Sequence, residues 1–343
     1  MAQSGDKTWG VTRDDIITAA LRKIGEYDSA DGPSSSEKTD AALALNALIK
    51  EWSSEGIGIW VRQRTVLFLN KGQPYYWLGP NPTNDTTNRV YHQACADNHY
   101  KEAPLLAAAS ASATALSITD TTWLDANRQT ATKPTATGPP QCGVRLTDGT
   151  IHWSTIASVG ANTVTLTDAL PSGASAGAMV YAFLTRTSRP IRLLAAYRTS
   201  TSGIDTAIEI TGRVNYEQLT NKLSDGDPTK VVFENYVAER TSSALHSRCM
   251  VWPAKNSVNC DRISLITEHY MDDLDSSSNN PQFPAEWANA LIWGLAAELS
   301  FEYGLPMKDR SQIIGMAEQK KFNLVNAADI ENASVSLEPD SGR

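Results

Sequence analysis

Long runs of basic residues are missing from this sequence. No stretch of lysine and arginine exceeds two residues, and 38 acidic against 30 basic residues give a net charge of −8. Tight binding to nucleic acid is disfavoured, because it depends on many cationic contacts with phosphates. An acidic wall would instead repel passing DNA, and such repulsion suits a conduit that must not hold its cargo.

Long apolar runs and closely spaced cysteines are also missing. Residues 1–10 are polar, so we expect no secretory signal and a protein made in the cytosol. The most apolar helical pattern, residues 287–301, is only about 15 residues long and includes Glu298, whereas a membrane span needs about 20 apolar residues. No membrane span is therefore expected. We expect the four scattered cysteines to be buried thiols: Cys95, Cys142, Cys249 and Cys260.

No set of residues stands out as a catalytic or metal-binding group. We identify no glycine-rich phosphate loop after a strand, and no nucleophile with a base and an orienting group at a readable spacing. His92, Cys95 and His99 come nearest to a zinc set, but a fourth ligand is not evident.

An acidic cluster is present at Asp272, Asp273 and Asp275. It lacks the glycine that calcium loops use, so we interpret it as a solvated connector between elements. From these patterns we expect no enzyme activity, no metal and no cofactor.

Both ends of the chain carry helical patterns. Thr12 and Asp15 form a capping box that predicts a helix start, and Gly25 stands where a left-handed residue would end that helix. Ser34 and Glu37 repeat the start signal before a second helix. Another pair is predicted near the other end of the chain, at about 285–303 and 308–330. None of these helices can bury its apolar stripe alone, so we predict that all four pack together.

The stretch between the helical ends has strand and turn patterns. Residues 65–69 and Tyr75–Leu78 flank a turn at Gly72, which predicts a β-hairpin. Residues 116–120 and 164–168 share an alternation of apolar and hydroxyl side chains, which predicts half-buried strands of a small antiparallel sheet. The predicted fold class is α+β: a discontinuous helical bundle formed by both chain ends, with a large antiparallel β insertion of sandwich or barrel type.

These patterns predict four regions. They are a helical domain (1–56 and 282–332), a β domain (57–100 and 183–281), an Ala/Thr-rich β subdomain (101–182) and a tail (333–343). We expect the tail to be flexible until a partner orders it. Trp52, Trp287 and Trp293 lie on predicted helices among apolar neighbours and are assigned to the bundle core.

Several short motifs follow one another in an order that is typical of one family of virion proteins. They are AALRKIG at 19–25, LIKEW at 48–52 followed by GI at 56–57, the turn at Gly72, WPA at 252–254, and FPAEW at 283–287 with Leu291 and LAA at 295–297. Through these motifs the chain resembles the head-to-tail adaptor proteins of short-tailed bacteriophages, also called connectors, tail accessory factors or tail tubular protein A-like proteins. The motifs are distributed over nearly the whole length of the chain, and none is a catalytic signature.

The resemblance implies a ring of about twelve copies that joins a portal protein to a tail nozzle protein. In that family the helical domain packs on the portal and the β domain faces the nozzle. The ring would extend the DNA channel and help to retain packaged double-stranded DNA without sequence-specific binding. This chain would then reside in the tail or neck of the virion after assembly in the host cytoplasm. The β insertion of the smallest family members is smaller than that of this chain. We interpret the additional region, residues 101–182, as an outward decoration or a dock for tail fibres.

The resemblance also implies two interfaces. The last helix and the tail would order against the portal through these residues: Lys320, Lys321, Phe322, Leu324 and Leu337. The β domain would face the nozzle through one loop: Asp225, Gly226, Asp227 and Pro228. Lys320 and Lys321 have a second interpretation, because cations late in a helix also offset its dipole.

Two other classes of function stay open. A carbohydrate-binding tail or fibre module would suit the β-rich composition and two tryptophans that we expect to be exposed, Trp123 and Trp153. A cell-wall hydrolase carried in the virion would need Asp272 or Asp273 as a catalytic carboxylate, but no arrangement of residues supports it.

Overall fold

The computed structural model divides the chain into two compact units. The helical unit comprises Met1–Val61 and Tyr270–Arg343, and the sheet unit comprises Arg62–His269. The α+β prediction is confirmed, because both chain ends supply the helical unit and the sheets are inserted between them. The residues that the structure describes are 10–25, 32–55, 62–79, 94–96, 100–119, 141–183, 186–200, 204–238, 245–254, 262–279, 281 and 283–332.

The helical unit is built mainly from α-helices. Its described helices are α1 (Arg13–Lys23), α2 (Ser35–Ser54), a 3₁₀-helical turn (Ala285–Trp287), α4 (Ala288–Glu302) and α5 (Met307–Asn332). Helix α3 (Arg213–Glu217) belongs to the sheet unit. The terminal helices therefore lie within a few residues of the predicted ranges.

Local signals set the starts of the first two helices. The capping box at Thr12 is confirmed, because the Asp15 carboxylate accepts from the Thr12 amide at 3.1 Å and the Thr12 hydroxyl accepts from the Asp15 amide. Ser34 and Glu37 form the same reciprocal pair at the start of α2. Gly25 follows α1 with a φ of 81°, so the predicted left-handed residue is confirmed.

Helix α4 packs against α1, α2 and α5. Gly294 allows the approach to α2, because a Cβ at this position would lie 3.0 Å from Leu48 Cδ2 and 3.1 Å from Trp52 Cζ2. Trp52 and Trp287 are buried in the core, as predicted. Their rings stand edge-on to each other, with centroids 6.1 Å apart.

The segment that follows the last strand is held against the helices. Met271 and Leu274 are buried in the helical core. The Leu274 amide donates to Asn46 Oδ1 at 3.0 Å, and the Arg13 guanidinium donates to the Leu274 carbonyl at 3.3 Å. Residues from Tyr270 onward thus belong to the helical unit, whereas the predicted β domain extended to 281.

The sheet unit contains fifteen strands and one short helix among its described residues. These are β1 (Arg62–Phe68), β2 (Tyr75–Leu78), β3 (Ala94–Cys95), β4 (Tyr100–Pro104), β5 (Ala115–Ser117), β6 (Gln141–Arg145), β7 (Ile151–Val159), β8 (Thr163–Leu166), β9 (Met179–Phe183), β10 (Pro190–Thr199), β11 (Asp205–Ala207), β12 (Glu209–Ile210), α3 (Arg213–Glu217), β13 (Lys230–Ala238), β14 (Leu245–Trp252) and β15 (Arg262–His269).

The strands form three sheets. One has the order β11-β10-β15-β1-β3, a second β12-β13-β14-β2, and a third β4-β9-β6-β7-β8-β5. The described pairs are antiparallel except for the parallel pair β12–β13. The first two sheets share one hydrophobic core, as the layers of a β-sandwich do. Ile208, buried between β11 and β12, is where the chain passes from one of these sheets to the other.

The hairpin predicted around Gly72 is wrong. Gly72 does adopt a φ of 71° in a turn, but β1 pairs with β15 and β3, whereas β2 pairs with β14 in the facing sheet. The turn therefore carries the chain across the sandwich instead of reversing it within one sheet. The Tyr76 hydroxyl secures this crossing, because it accepts from the Asn70 amide at 2.9 Å.

Strand β1 is buried on both faces because successive side chains alternate. Leu67 enters the sandwich core, whereas Val66 and Phe68 pack with residues of the six-stranded sheet, including Tyr181 and Phe183. The two similar segments at 116–120 and 164–168 pair directly as β5 and β8 in antiparallel register, so their prediction as strands of one small sheet is confirmed.

Candidate interaction surfaces

Helix α5 turns one stripe toward the helical core and the opposite face toward solvent. Ile313 is buried, and Leu324 is partly buried against the core. The exposed face is polar except for Phe322, whose side chain is 64% exposed. That face carries Lys308, Gln312, Gly315, Gln319, Phe322 and Asn326. A large aromatic side chain that remains in water on a polar face is a candidate contact residue.

The four described residues of the predicted portal interface have different surroundings. Lys321 lies against its own unit, with Nζ 2.6 Å from Glu55 Oε2 and 5.3 Å from the centroid of the Trp52 ring. Leu324 contacts the core and Lys320 is partly buried, so Phe322 is the most accessible of the four that the structure describes. Leu337 lies outside the described residues. Whether these residues bind a portal stays a prediction.

A second exposed apolar group lies at the turn between α4 and α5. Phe301 is 57% exposed and Met307 is 84% exposed. Arg310 covers part of Phe301, with its guanidinium 4.6 Å from the ring centroid, and donates to the Leu305 carbonyl at 3.1 Å. Sequence reasoning did not identify these residues. Helix α4 is apolar on nearly all sides, so its periodicity could not show which side chain remains exposed.

A groove opens on the helical unit between the end of α1, α4 and the first turns of α5. Its volume is about 440 Å³. Trp293 belongs to its wall rather than to the fully buried core, and Lys23 Nζ lies 4.9 Å from the centroid of that ring. The apolar part of the wall is formed by Ile24, Trp293, Leu305, Ile313 and Met316.

The predicted nozzle loop, Asp225 to Pro228, is anchored to the end of β14. Asp225 forms an isolated bridge with Ala254. Gly226 has a φ of 148°, a conformation that side chains with a Cβ rarely adopt. Asp227 pairs with Arg198 at 3.6 Å, and Pro228 is buried. The loop is therefore fixed in one conformation, and Asp225 is its most exposed residue.

Exposed aliphatic side chains are frequent just before this loop. They are Ile204, Ile210, Val214 and Leu223, which are between 41% and 72% exposed. Single exposed aliphatic residues are ordinary on a protein surface, and these four are the apolar candidates for a contact on this part of the sheet unit.

The acidic cluster contains an ion pair that joins it to a helix. Lys50 Nζ lies 2.7 Å from Asp273 Oδ1 and 5.7 Å from the centroid of the Tyr270 ring. Asp272 and Asp275 are exposed. Within the described ranges, no group of three or more His, Cys, Asp or Glu side chains is arranged to hold a metal ion.

Three of the four cysteines are buried thiols that are not part of a disulfide: Cys95, Cys142 and Cys249. Burial raises the pKa of Cys142 and of Cys249 to about 12, so both thiols stay protonated at neutral pH. The expectation of buried thiols is confirmed for these three, and Cys260 lies outside the described residues. Of the candidate zinc set, the structure describes only Cys95, because His92 and His99 fall outside the described ranges.

The sequence contains one Gly-x-Ser-x-Gly run, from Gly173 to Gly177. In a hydrolase this run forms a sharp turn between a strand and a helix. Here it precedes strand β9, and Gly177 has a φ of 79° within a turn whose Ala178 amide donates to the Ser175 carbonyl. The residues around Ser175 therefore do not form a nucleophile elbow.

A serine and a histidine do meet at the end of the sheet unit. Ser188 Oγ lies 2.8 Å from His269 Nδ1, and His269 Nε2 lies 2.8 Å from Thr267 Oγ1. Thr267 continues the network to Thr65 at 3.0 Å. Burial lowers the pKa of His269 to about 4, so this imidazole is neutral at pH 7. Because a threonine stands where a catalytic triad has a carboxylate, we interpret the network as structural.

Trp153, expected to be exposed, packs inside the sheet unit. Its ring centroid lies 5.2 Å from that of Phe68 and 5.3 Å from that of Phe183. A Cβ on Gly143 would come within 2.6 Å of the Trp153 ring. Trp153 therefore offers no open ring face for a sugar, and Trp123 lies outside the described residues.

Comparison of the chain with protein-family models and with curated proteins finds no match. None of the helices that the structure describes is long and apolar enough to cross a membrane.

Proposed function

We propose that this chain is a structural virion protein, a head-to-tail adaptor whose copies form a ring between a portal and a tail nozzle. The observation that carries the proposal is the division of the chain into two units, each with exposed apolar side chains. An adaptor must join two partners, and two separately built units provide a surface for each. The segments before and after the sheet unit both belong to the helical unit, so the sheet unit is an insertion that can vary in size.

The helical unit is the proposed portal-binding part. Phe322 projects from the polar face of α5, and Phe301 and Met307 are exposed at the turn before that helix. Aromatic side chains that become buried at an interface commonly supply much of its binding energy. We assign Phe322 as the main anchor on this side, with Lys320, Lys321, Leu324 and Leu337 as the other proposed contacts.

The sheet unit is the proposed nozzle-facing part. The exposed aliphatic residues of the segment 204–223 directly precede the fixed loop at Asp225, Gly226, Asp227 and Pro228. A rigid loop beside apolar side chains loses little conformational entropy on binding. The same unit offers the proposed dock for tail fibres in its six-stranded sheet.

The charge of the chain agrees with a channel for DNA. A net charge of −8 per copy is multiplied in a ring, and an acidic ring repels phosphates instead of holding them. Double-stranded DNA would therefore pass without sequence-specific binding.

Electron microscopy tests the proposal directly. Purified chain is mixed with the portal protein of the same virus and imaged in negative stain, with each protein alone as the control. Ring-shaped caps on one face of the portal are expected. Failure to associate at virion-like salt and at a large excess of the chain would contradict the adaptor role.

The carbohydrate-binding alternative has less support, because Trp153 is enclosed by other rings. A glycan array with the full chain separates the two functions. An adaptor should bind no glycan, whereas saturable binding to one class of glycan would favour the alternative.

A further inference from the structure

The groove of the helical unit leaves apolar side chains open to water. Its volume of about 440 Å³ lies within the range of about 300–1,000 Å³ that is typical of binding sites. In its wall Ile313 is buried, whereas Met316 is 37% exposed and Trp293 is partly exposed. An apolar side chain of a partner that covered these residues would remove both apolar surfaces from water, which favours binding.

Two charged residues of opposite sign also line the groove. Lys23 lies in the last turn of α1, and Asp309 lies in the first turn of α5. Lys23 Nζ is 4.9 Å from the centroid of the Trp293 ring, but no carboxylate in the described part of the chain forms an ion pair with it. Asp309 likewise has no ion pair with a described residue. An occupant that is complementary to this groove therefore carries a carboxylate and a cation beside its apolar side chain.

The groove continues into the exposed apolar group at the turn between α4 and α5. Leu305 and Pro306 line the groove, and Met307, which follows them directly in the chain, is 84% exposed. Phe301 at the end of α4 is 57% exposed. The portal-binding role proposed for this unit uses Phe301 and Met307, so a portal that covers them also reaches the rim of the groove.

We propose that the groove receives an amphipathic segment of the portal protein. The apolar side chain of that segment packs on Trp293 and Met316, its carboxylate pairs with Lys23, and its cation pairs with Asp309. The inference rests on the proposed adaptor function, to which it adds the place and the chemistry of one contact.

Site-specific photo-crosslinking tests where the portal segment lies. The photoreactive residue p-benzoylphenylalanine replaces Met316 in one full-length variant. In the control variant it replaces Leu43, an exposed residue of α2 that does not line the groove. Each variant is mixed with the portal protein of the same virus and irradiated, and mass spectrometry identifies the joined peptide. We expect the Met316 position to join a portal peptide in which acidic and basic residues flank apolar ones.

Three results of this crosslinking would overturn the inference. The first is a yield of portal adduct at the Met316 position that is no higher than at the Leu43 position. The second is an adduct with another copy of this chain or with its own C-terminal segment. The third is a portal peptide that contains no acidic residue.

Charge reversal tests the pairing with Lys23. Lys23→Glu should weaken capture of the chain by immobilised portal at least about fivefold in surface plasmon resonance, because two carboxylates would then face each other. Lys23→Arg keeps the charge and should retain capture. Arg22→Glu is the matched control, since Arg22 is an exposed neighbour in the same turn of α1 but does not line the groove, and it should change capture by less than about twofold. Equal losses for Lys23→Glu and Arg22→Glu would overturn the pairing.

A substitution in the apolar wall separates the groove contact from the adaptor role. Met316→Glu should weaken capture at least about tenfold, because it places a carboxylate where an apolar side chain would pack. Unchanged circular dichroism confirms that the variant folds. If wild-type chain forms caps on the portal and neither Met316→Glu nor Lys23→Glu weakens capture, the groove contact is overturned and the adaptor role stands. If wild-type chain forms no caps, both proposals are overturned.

Discussion

Lys321 near the end of α5 reaches Glu55 at the end of α2, with its Nζ 2.6 Å from the carboxylate and 5.3 Å from the centroid of the Trp52 ring. The residues are far apart in sequence, so this contact fastens the last helix of the chain to the second. Neighbouring residues of α5 therefore differ: Lys321 contacts its own unit, whereas the side chain of Phe322 is exposed.

Lys321→Ala should lower the free energy of unfolding of the helical unit by about 1 kcal/mol, because it removes a partly exposed ion pair and a cation–π contact. Lys308→Ala, at an exposed position in the first turn of the same helix, should change it by less than about 0.5 kcal/mol. Urea denaturation followed by circular dichroism measures both. Equal effects of the two substitutions would show that the contact with Glu55 and Trp52 does not stabilise the unit.

Phe322→Asp should weaken capture of the chain by immobilised portal at least tenfold without changing its melting temperature. The reason is that the Phe322 side chain is 64% exposed in the free protein, whereas the new carboxylate would have to be buried at the proposed interface. Surface plasmon resonance measures the capture, and Gln319→Asp on the same face is the control for added charge. Unchanged capture of the Phe322 variant would remove this residue from the proposed interface.

Gly143→Ala should destabilise the sheet unit by about 1–3 kcal/mol, because the new methyl group would lie 2.6 Å from the Trp153 ring, which other rings hold in place. Gly160→Ala is the matched control, since its Cβ would make only ordinary contacts, the nearest at 3.6 Å. Tryptophan fluorescence during denaturation measures both variants. A Gly143 variant as stable as the control would mean that the Trp153 ring moves freely.

His269 should make the sheet unit less stable in mild acid. Burial lowers the pKa of the folded imidazole from its ordinary value of 6.5 to about 4, so the unfolded chain takes up a proton first as pH falls. The stability present above pH 6.5 should therefore decline between pH 6.5 and 4, by up to about 3 kcal/mol.

Denaturation curves at pH 8, 6, 5 and 4 measure this decline. His269→Gln should reduce the pH dependence of the stability. His152→Gln is the comparison variant, because burial lowers the pKa of His152 as well. The assignment to His269 fails if the wild type and the His269 variant lose stability in parallel.

The helices could be predicted from the sequence because their signals are local. The reciprocal caps at Thr12 and Ser34 act within one turn, and the stop at Gly25 depends on the φ of one residue. The membership of β5 and β8 in one antiparallel sheet was indicated by their matching alternation, and their direct pairing is a finding of the structure. The strand partners of β1 and β2 were mispredicted, because a turn shows where the chain bends but not which sheet the next strand joins.

The candidate surfaces were harder to predict. Phe322 was among the expected contact residues, but Lys321 and Leu324 beside it face their own unit. Phe301, Met307 and the groove were not predicted, because they arise where three helices end near one another. An expected glycan contact, Trp153, is covered by rings from other strands.

The sequence by itself determined the positions of the helices in the helical unit and of the four predicted strands, the acidic charge, and the origin of one unit from both chain ends. The positions of helices and strands follow from caps and hydrophobic periodicity, which involve residues close together in the chain. The net charge follows from the composition of the whole chain. Only the tertiary structure decided which strands pair, which aromatic rings are buried and where a groove remains. Burial depends on packing between residues that are distant in the chain, and no local pattern records that packing.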